Sequence, residues 1–293
     1  MLFRSPGEQD PPHPLHDLLE TGYAYRFFYN NPTQQAQMFQ IVGGTDNLAR
    51  AFARRLDGRI EYQAAAVEIR QDEGGVLLRY RQFGHVFEAR GSYLVCAAPL
   101  TMLRDLPGDI RPEARAAMRE VEYARTGKIG LQFKRRFWEE DERIFGGISW
   151  TDQTITQIMY PSTGFLGTRG VVVGSYAWDD QAEAIGKLRH AERVKLALEQ
   201  GRKIHPQYDA EHENSFSVYW PKVPWTLGGW AEWKPEQRTG AYATLCRPDG
   251  RFHFAGEHLS YLTGWMAGAL ESARVAVASV HERAAKETQR RAG

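Results

Sequence analysis

The sequence predicts a mixed α+β / α/β chain, and three observations carry that prediction. Between Ile60 and Ala97, short apolar runs recur with the period of two that strands require. Elsewhere the period is helical: Leu48, Ala51, Phe52 and Leu56 form one such series, and Met266, Ala269, Leu270, Ala273, Val277 and Val280 form another. The second series follows Phe252-His253-Phe254 and a turn, so this segment reads as strand, turn and helix, the helix running to about Arg283.

Taken in order, residues 1–14 are polar and carry Pro6, Pro11, Pro12 and Pro14, the composition of an arm. A helix is expected over His16 to Phe28, before Asn30-Asn31-Pro32. Gly43-Gly44 then leads into the Leu48–Leu56 helix, with Thr45 or Asp46 as its N-cap. Ile60 to Tyr62, Ala66 to Ile69, Val76 to Tyr80 and the run around Phe87 read as an antiparallel meander. Tyr93 to Ala97 is a fully apolar strand, ended by Pro99, with a helical turn after it and a helix over Arg111 to Glu120.

Thr126 to Phe133 reads as a strand in which Lys128, Gly130 and Gln132 alternate with Ile129, Leu131 and Phe133. The charged cluster Lys134 to Asp141 reads as a solvated turn. Ile148 to Pro161 and Gly170 to Tyr176 supply strands of a second sheet, and His190 to Lys203 a helix. Tyr219 to Trp233 holds Tyr219, Trp220, Trp225, Trp230 and Trp233, a content that composition alone assigns to an aromatic core wall.

The totals exclude several classes. With 37 basic and 36 acidic residues, no bulk charge argues for nucleic acid or an anionic membrane. No apolar run approaches the ~20 residues of a membrane span. Of the two cysteines, Cys96 sits in an apolar run as a buried reduced thiol, while Cys246 reads as exposed; a disulfide framework is not expected. The histidines show no metal-ligand spacing, so no metal site is expected. The N-terminus lacks a basic-plus-apolar signal segment, and a cytoplasmic protein is the expectation.

The segment from Phe252 onward carries the chemistry. Small residues (Ala267, Gly268, Ala269) in the first helical turn let a flat ligand approach closely. The N–H groups and dipole of that turn favour negative charge, as on the pyrimidine edge of a reduced flavin. Glu257 can accept a hydrogen bond from a sugar-like hydroxyl. On physics alone the segment is either a ligand site or a plain packing unit.

Phe254-Ala255-Gly256-Glu257-His258, with Gly264-Trp265-Met266-x-Gly268-Ala269, resembles the C-terminal flavin-binding motif of the flavin amine oxidases, of monoamine oxidase and L-amino-acid oxidase type. Gly43-Gly44-x-Asp46-x-Leu48, the strands near Ala66 and Tyr93 to Pro99 occupy matching places. The resemblance implies FAD as cofactor, held by Gly256, Glu257, Gly264, Trp265 and Met266, with the adenine on backbone near Ala66. Lys128, followed by Phe137-Trp138, resembles the family's lysine strand, which implies a catalytic Lys128 holding a water beside flavin N5. By the same likeness Trp230 and Trp265 wall an aromatic substrate cage, and Tyr160 before Pro161 contacts a substrate carboxylate.

The implied architecture is the C-terminal portion of a two-domain FAD-linked amine oxidase. Residues 41–110 and 245–285 would belong to the FAD-binding domain and 111–244 to a mixed-sheet substrate domain, with 1–40 as arm and helix and 286–293 as tail. No Gly-x-Gly-x-x-Gly occurs anywhere in the chain; Gly164, Gly167 and Gly170 are spaced by three and open no amphipathic helix. The resemblance therefore implies a hetero-oligomer in which a second polypeptide brings the dinucleotide motif, or else a truncated product. The implied activity is an L-amino-acid oxidase giving a 2-oxo acid, ammonia and hydrogen peroxide. An amine oxidase, an amino-acid 2-monooxygenase and an FAD-free, non-catalytic subunit stand as alternatives.

Overall fold

In the computed structural model, which describes residues 39–292, the period-two runs form a three-stranded antiparallel sheet: β1 (Ala65–Gln71), β2 (Val76–Gln82) and β3 (His85–Gly91). Asp72 Oδ1 accepts the N–H groups of Gly74 and Gly75 at 2.7 and 2.9 Å, closing the first hairpin. Phe83 and Gly84, both at positive φ, close the second with Gln82 opposite His85. Ile60 to Tyr62 does not join the sheet and is loop and turn. The expected arm and the helix over His16 to Phe28 lie outside the described residues.

The apolar strand β4 (Leu94–Cys96) pairs in parallel with β12 (Phe252–Phe254), Leu94 opposite Phe252 and Cys96 opposite Phe254. Cys96 is a free thiol and half-buried rather than fully enclosed; Cys246 is free and exposed. A core gathers around this pair from Ile69, Leu100, Leu103, Met118, Leu245, Phe252 and Phe254. It also takes the inner face of one helix (Pro112–Glu120), whose proline occupies the first turn where no N–H is missed. The long C-terminal helix runs from Met266 to Ala292, nine residues beyond the expected stop at Arg283. Arg283 Nε pairs with Glu287 at 3.1 Å within the helix, and Glu287 lies 3.4 Å from the Arg251 guanidinium, so this turn is tied to the body.

A second core lies behind a five-stranded antiparallel sheet: β6 (Thr126–Phe133), β7 (Ile148–Trp150), β8 (Gln157–Met159), β9 (Gly170–Trp178) and β10 (His212–Tyr219), in the order β10-β6-β9-β8-β7. Ile129, Leu131, Phe133, Val172 and Ala177 face inward, covered by the helices Asp179–Lys187 and His190–Gly201. Lys128, Tyr176 and Phe216 belong to the opposite, open face. A two-stranded ribbon of β5 (Glu122–Tyr123) and β11 (Ala231–Glu232) leads into β6.

Chain contacts divide the described residues into two units: one holds residues up to Ile60 with Ser162–Phe165, the other Glu61–Pro161 with Leu166 onward. The smaller unit contains the helix Asp46–Arg55, none of whose side chains is buried. Thr45 occupies its N-cap position without a side-chain capping bond. Gln40 bonds both Ser162 Oγ, at 2.9 Å, and Thr163 Oγ1, at 2.8 Å. Among the described residues no helix is long and apolar enough to cross a membrane.

The Lys134 to Asp141 cluster is not a solvated turn. Arg136, Phe137, Trp138 and Glu139 are all buried. Arg136 and Glu139 neutralise each other at 2.5 Å; Arg136 also donates to the Pro161 carbonyl at 3.2 Å, and Glu139 accepts the Leu166 N–H at 2.8 Å. The Arg136 guanidinium holds the Glu139 carboxyl below the usual carboxylate range. Paired in this way, both charges can enter the core with the edge-packed rings of Phe133 and Phe137. Arg136→Met strands the Glu139 carboxylate and is expected to cost about 3–5 kcal/mol, read by urea unfolding. Arg136→Met/Glu139→Leu is expected to recover much of that loss.

Candidate functional site

The ladder of β12 ends where the Ala255 N–H donates to the Cys96 carbonyl at 2.9 Å. Gly256 follows at φ +134°, ψ 168°, a conformation closed to residues with side chains, and a Cβ there would lie 2.3 Å from the His258 ring. Its N–H donates to Ser272 Oγ at 3.0 Å, which ties the turn to the C-terminal helix. Glu257 comes next and bridges two segments. One carboxylate oxygen accepts the Ala231 N–H at 3.1 Å and the other the Gly264 N–H at 2.9 Å.

That bridge draws the Trp230 strand end against the Gly264 turn. Gly264 has φ +79°, and a Cβ on it would stand 3.3 Å from the Trp230 indole. Trp230 is fixed from behind, its carbonyl accepting the Ala124 N–H at 2.8 Å while the Gly229 N–H donates to the Ala124 carbonyl at 2.9 Å. Gly229 rests on Thr126, the first residue of β6. The result is a cleft of about 290 Å³ walled by Ala97, Pro99, Gly228, Gly229, Gly256, Ala269 and Ala273. Its polar groups come from Tyr123, Thr226, Glu257 and His258.

The charges are set by burial. Desolvation raises the Glu257 carboxyl, and the two N–H donors pull it part of the way back. His258 is 3% exposed, and its Nε2 has no hydrogen-bond partner among the described residues. Burial lowers its pKa to about 4, so the ring is neutral at physiological pH. Tyr123 accepts the Leu100 N–H at 3.0 Å, and burial pushes its hydroxyl far up. Small walls, a helix N-terminus, a neutral imidazole nitrogen without a partner and a carboxylate with spare lone pairs suit a flat polar ligand bearing hydroxyls. The residues fit a flavin.

The structure brings Gly256, Glu257, Gly264 and Trp230 together. Trp265 and Met266 follow directly, each about half exposed (51%) at the helix start. Ala66 is exposed at the bulge of β1 and does not line the cleft. Lys128 lies two residues beyond Thr126 on the open sheet face, its Nζ 4.2 Å from the centroid of the Tyr176 ring. Desolvation lowers its pKa.

Tyr160 does not present its hydroxyl to the cleft. It is 4% exposed in the second core, with Oη 2.8 Å from Ser149 Oγ and 2.5 Å from His205 Nε2. His205 Nδ1 in turn lies 2.8 Å from Glu142. Met159, beside Tyr160, pairs with Val173, whereas Lys128 pairs with Tyr176, a separation of roughly 10 Å along β9. The residue expected to meet a substrate carboxylate is thus enclosed in the second core and bonded to Ser149 and His205. The sequence reading missed the burial of His258, although it adjoins Glu257 in the motif. It also missed Tyr176 and Trp178, which only the strand register sets beside Lys128.

The family model described as flavin containing amine oxidoreductase matches residues 10–281. A flavin-dependent L-tryptophan oxidase of Lentzea aerocolonigenes is 30% identical over 257 residues, covering 83% of this chain and 53% of its own length. An L-amino-acid oxidase of Siganus canaliculatus is 31% identical over 253 residues, covering 84% of this chain and 48% of its own. Among solved structures, a putrescine oxidase variant matches with TM-score 0.73 at 17% identity, over 83% of this chain and 53% of that one, a likeness of fold. The chain spans about half the length of the curated relatives it matches.

The buried His258 makes stability pH-dependent. Its folded pKa of about 4 lies below the ordinary 6.5, so its contribution is whole above pH 6.5 and drains as the pH falls toward 4. At about 1.4 kcal/mol per unit the loss is on the order of 3 kcal/mol. Urea unfolding across that range is expected to show this slope in the wild type and to lose one proton's worth of it in His258→Asn.

Proposed function

The chain belongs to the flavin containing amine oxidoreductase family, and we propose that it forms the substrate-side half of an FAD-dependent L-amino-acid oxidase. The observation that carries the reading is Glu257, which lines a small-walled cleft with Gly228, Gly229 and Gly256 while it bridges the Ala231 and Gly264 N–H groups. FAD is the family's cofactor; when bound, it supplies the two-electron acceptor. Gly256 allows the close approach, the first turn of the C-terminal helix presents N–H groups to its anionic edge, and Glu257 keeps lone pairs for a ribityl hydroxyl. His258 offers a neutral nitrogen.

Trp230 and Trp265 are the two flat surfaces of the substrate cage and orient the carbon that bears the amine. Lys128 holds a water or dioxygen by its ammonium, and desolvation lowers its pKa from the ordinary lysine range. Ala66 offers main chain to an adenine. The L-amino-acid class is favoured by the relatives named as L-amino-acid and L-tryptophan oxidases. The product is the 2-oxo acid, with ammonia and hydrogen peroxide.

The reading includes a second polypeptide, because the sequence holds no Gly-x-Gly-x-x-Gly to carry the dinucleotide. Native mass spectrometry of protein from its source cells is expected to give a flavin-bearing hetero-oligomer. A single longer chain that includes these residues would contradict that part alone.

L-Amino acids added anaerobically to the flavin-bearing protein are expected to bleach its visible band, and simple primary amines to leave it. Bleaching by amines only, or an amide product with carbon dioxide under air, would overturn the substrate class or the reaction. Lys128→Met is expected to keep flavin bound and slow reoxidation on the order of 100-fold, the scale of losing one preorganised donor. An unchanged stopped-flow trace would remove Lys128 from the mechanism.

A further inference from the structure

Lys128 has a long flexible stem and, among the described residues, no ion pair to hold it. What it meets is the face of Tyr176, with Nζ 4.2 Å from the ring centroid. This is no chance brush between two surface chains. The residues stand directly opposite each other in the β6–β9 ladder, so their main chains fix the pairing. The Tyr176 carbonyl accepts Thr156 Oγ1 at 2.6 Å and Gln157 Nε2 at 3.3 Å, which pins this residue toward β8 as well. Trp178, two residues on and on the same face, lies against the tyrosine ring with centroids 4.2 Å apart and planes 39° apart. The tyrosine ring is thus packed against an indole on its own strand as well as under the lysine.

The chemistry of the contact suits a positioning role. An aromatic face attracts an ammonium through its quadrupole, without fixing the N–H groups in one rotation. A carboxylate in the same place would bind the lysine through those N–H groups and take them from any water or dioxygen. The tyrosine takes no N–H into a directed lone-pair bond, as a carboxylate would, while limiting where the nitrogen can sit. Burial raises the Tyr176 hydroxyl above its ordinary range, so the ring stays a neutral phenol and acts through its face. Val218, opposite Lys128 on β10, adds no charge on the other side.

We propose that Tyr176, braced by Trp178, is the positioning residue for Lys128 and holds its ammonium at a fixed place above the open face of the five-stranded sheet. The kinetic part of this rests on the role given to Lys128 above; the geometric part does not.

Two readouts on the holoenzyme separate them. In protein labelled with [ε-¹³C]lysine, the Lys128 resonance, assigned by its loss in Lys128→Arg, is expected upfield of the other lysines because the Tyr176 ring current shields it. Tyr176→Leu removes that shift, whereas Tyr176→Phe, which keeps the face, retains it. In stopped-flow reoxidation Tyr176→Leu is expected to slow the rate about tenfold, with substrate KM little changed and Tyr176→Phe restoring the rate; small misplacements have effects of this order or larger.

A Lys128 resonance without the shift in the wild type, or one that keeps it in Tyr176→Leu, would overturn the placement. Wild-type kinetics in Tyr176→Leu, when Lys128→Met is slow, would overturn the positioning role. If Lys128→Met itself reoxidises normally, the lysine's role fails, and the labelled resonance still decides whether Tyr176 holds it. Circular dichroism melting of Tyr176→Phe and Tyr176→Leu distinguishes loss of the contact from loss of the fold.

Discussion

The site depends on one carboxylate. Glu257 accepts N–H groups from Ala231 and Gly264, segments that share no strand pairing with each other. Without that bridge the Gly264 turn would lose its hydrogen-bonded tie to the strand end that follows Trp230. Burial opposes the ionised form, and the two donors offset part of that cost. A charged residue here is worth its desolvation because it satisfies two main-chain groups that would otherwise face a half-closed cavity. Ser272, holding Gly256 from the C-terminal helix, completes the frame.

The five-stranded sheet hides its polar groups in pairs and chains of the same kind. Arg136 and Glu139 are enclosed as a pair, and the buried Tyr160 and His205 are partnered by the half-buried Ser149 and Glu142. These groups stiffen the covered side of the sheet. The opposite face is left with Lys128, Tyr176, Trp178 and Phe216, residues suited to meeting a ligand rather than a core. One sheet therefore divides its labour by face.

Much of this could be read from sequence where the period was clean. Alternation alone placed Lys128 and Gln132 opposite Ile129 and Leu131, and the meander around Ile69 and Leu78 followed from the same rule. Strand β10 was not legible, because Glu213, Asn214, Ser215 and Ser217 break its apolar signal while its main chain pairs with β6. The parallel pairing of Leu94–Cys96 with Phe252–Phe254 joins stretches more than 150 residues apart, beyond any local pattern. The burial of Tyr160 was not legible, because a strand-end tyrosine before proline says nothing of which face it takes. The Lys134 to Asp141 cluster was misjudged because charge in sequence reads as exposure until a buried partner is seen. Resemblance gave the turn around Glu257 its meaning, but not its double backbone contact.

On the proposed function, the turn from Gly256 to Ala269, together with Gly228 to Trp230, holds the flavin. Hydrogen exchange of the holoenzyme, with flavin bound and after its removal, tests that most directly. Flavin is expected to slow exchange most strongly at the amides of Gly256 to Ala269 and at Gly228 to Trp230, leaving the covered strands around Leu131 and Val172 unchanged. Equal exchange in these two segments with and without flavin, with slowing elsewhere in the chain, would contradict it.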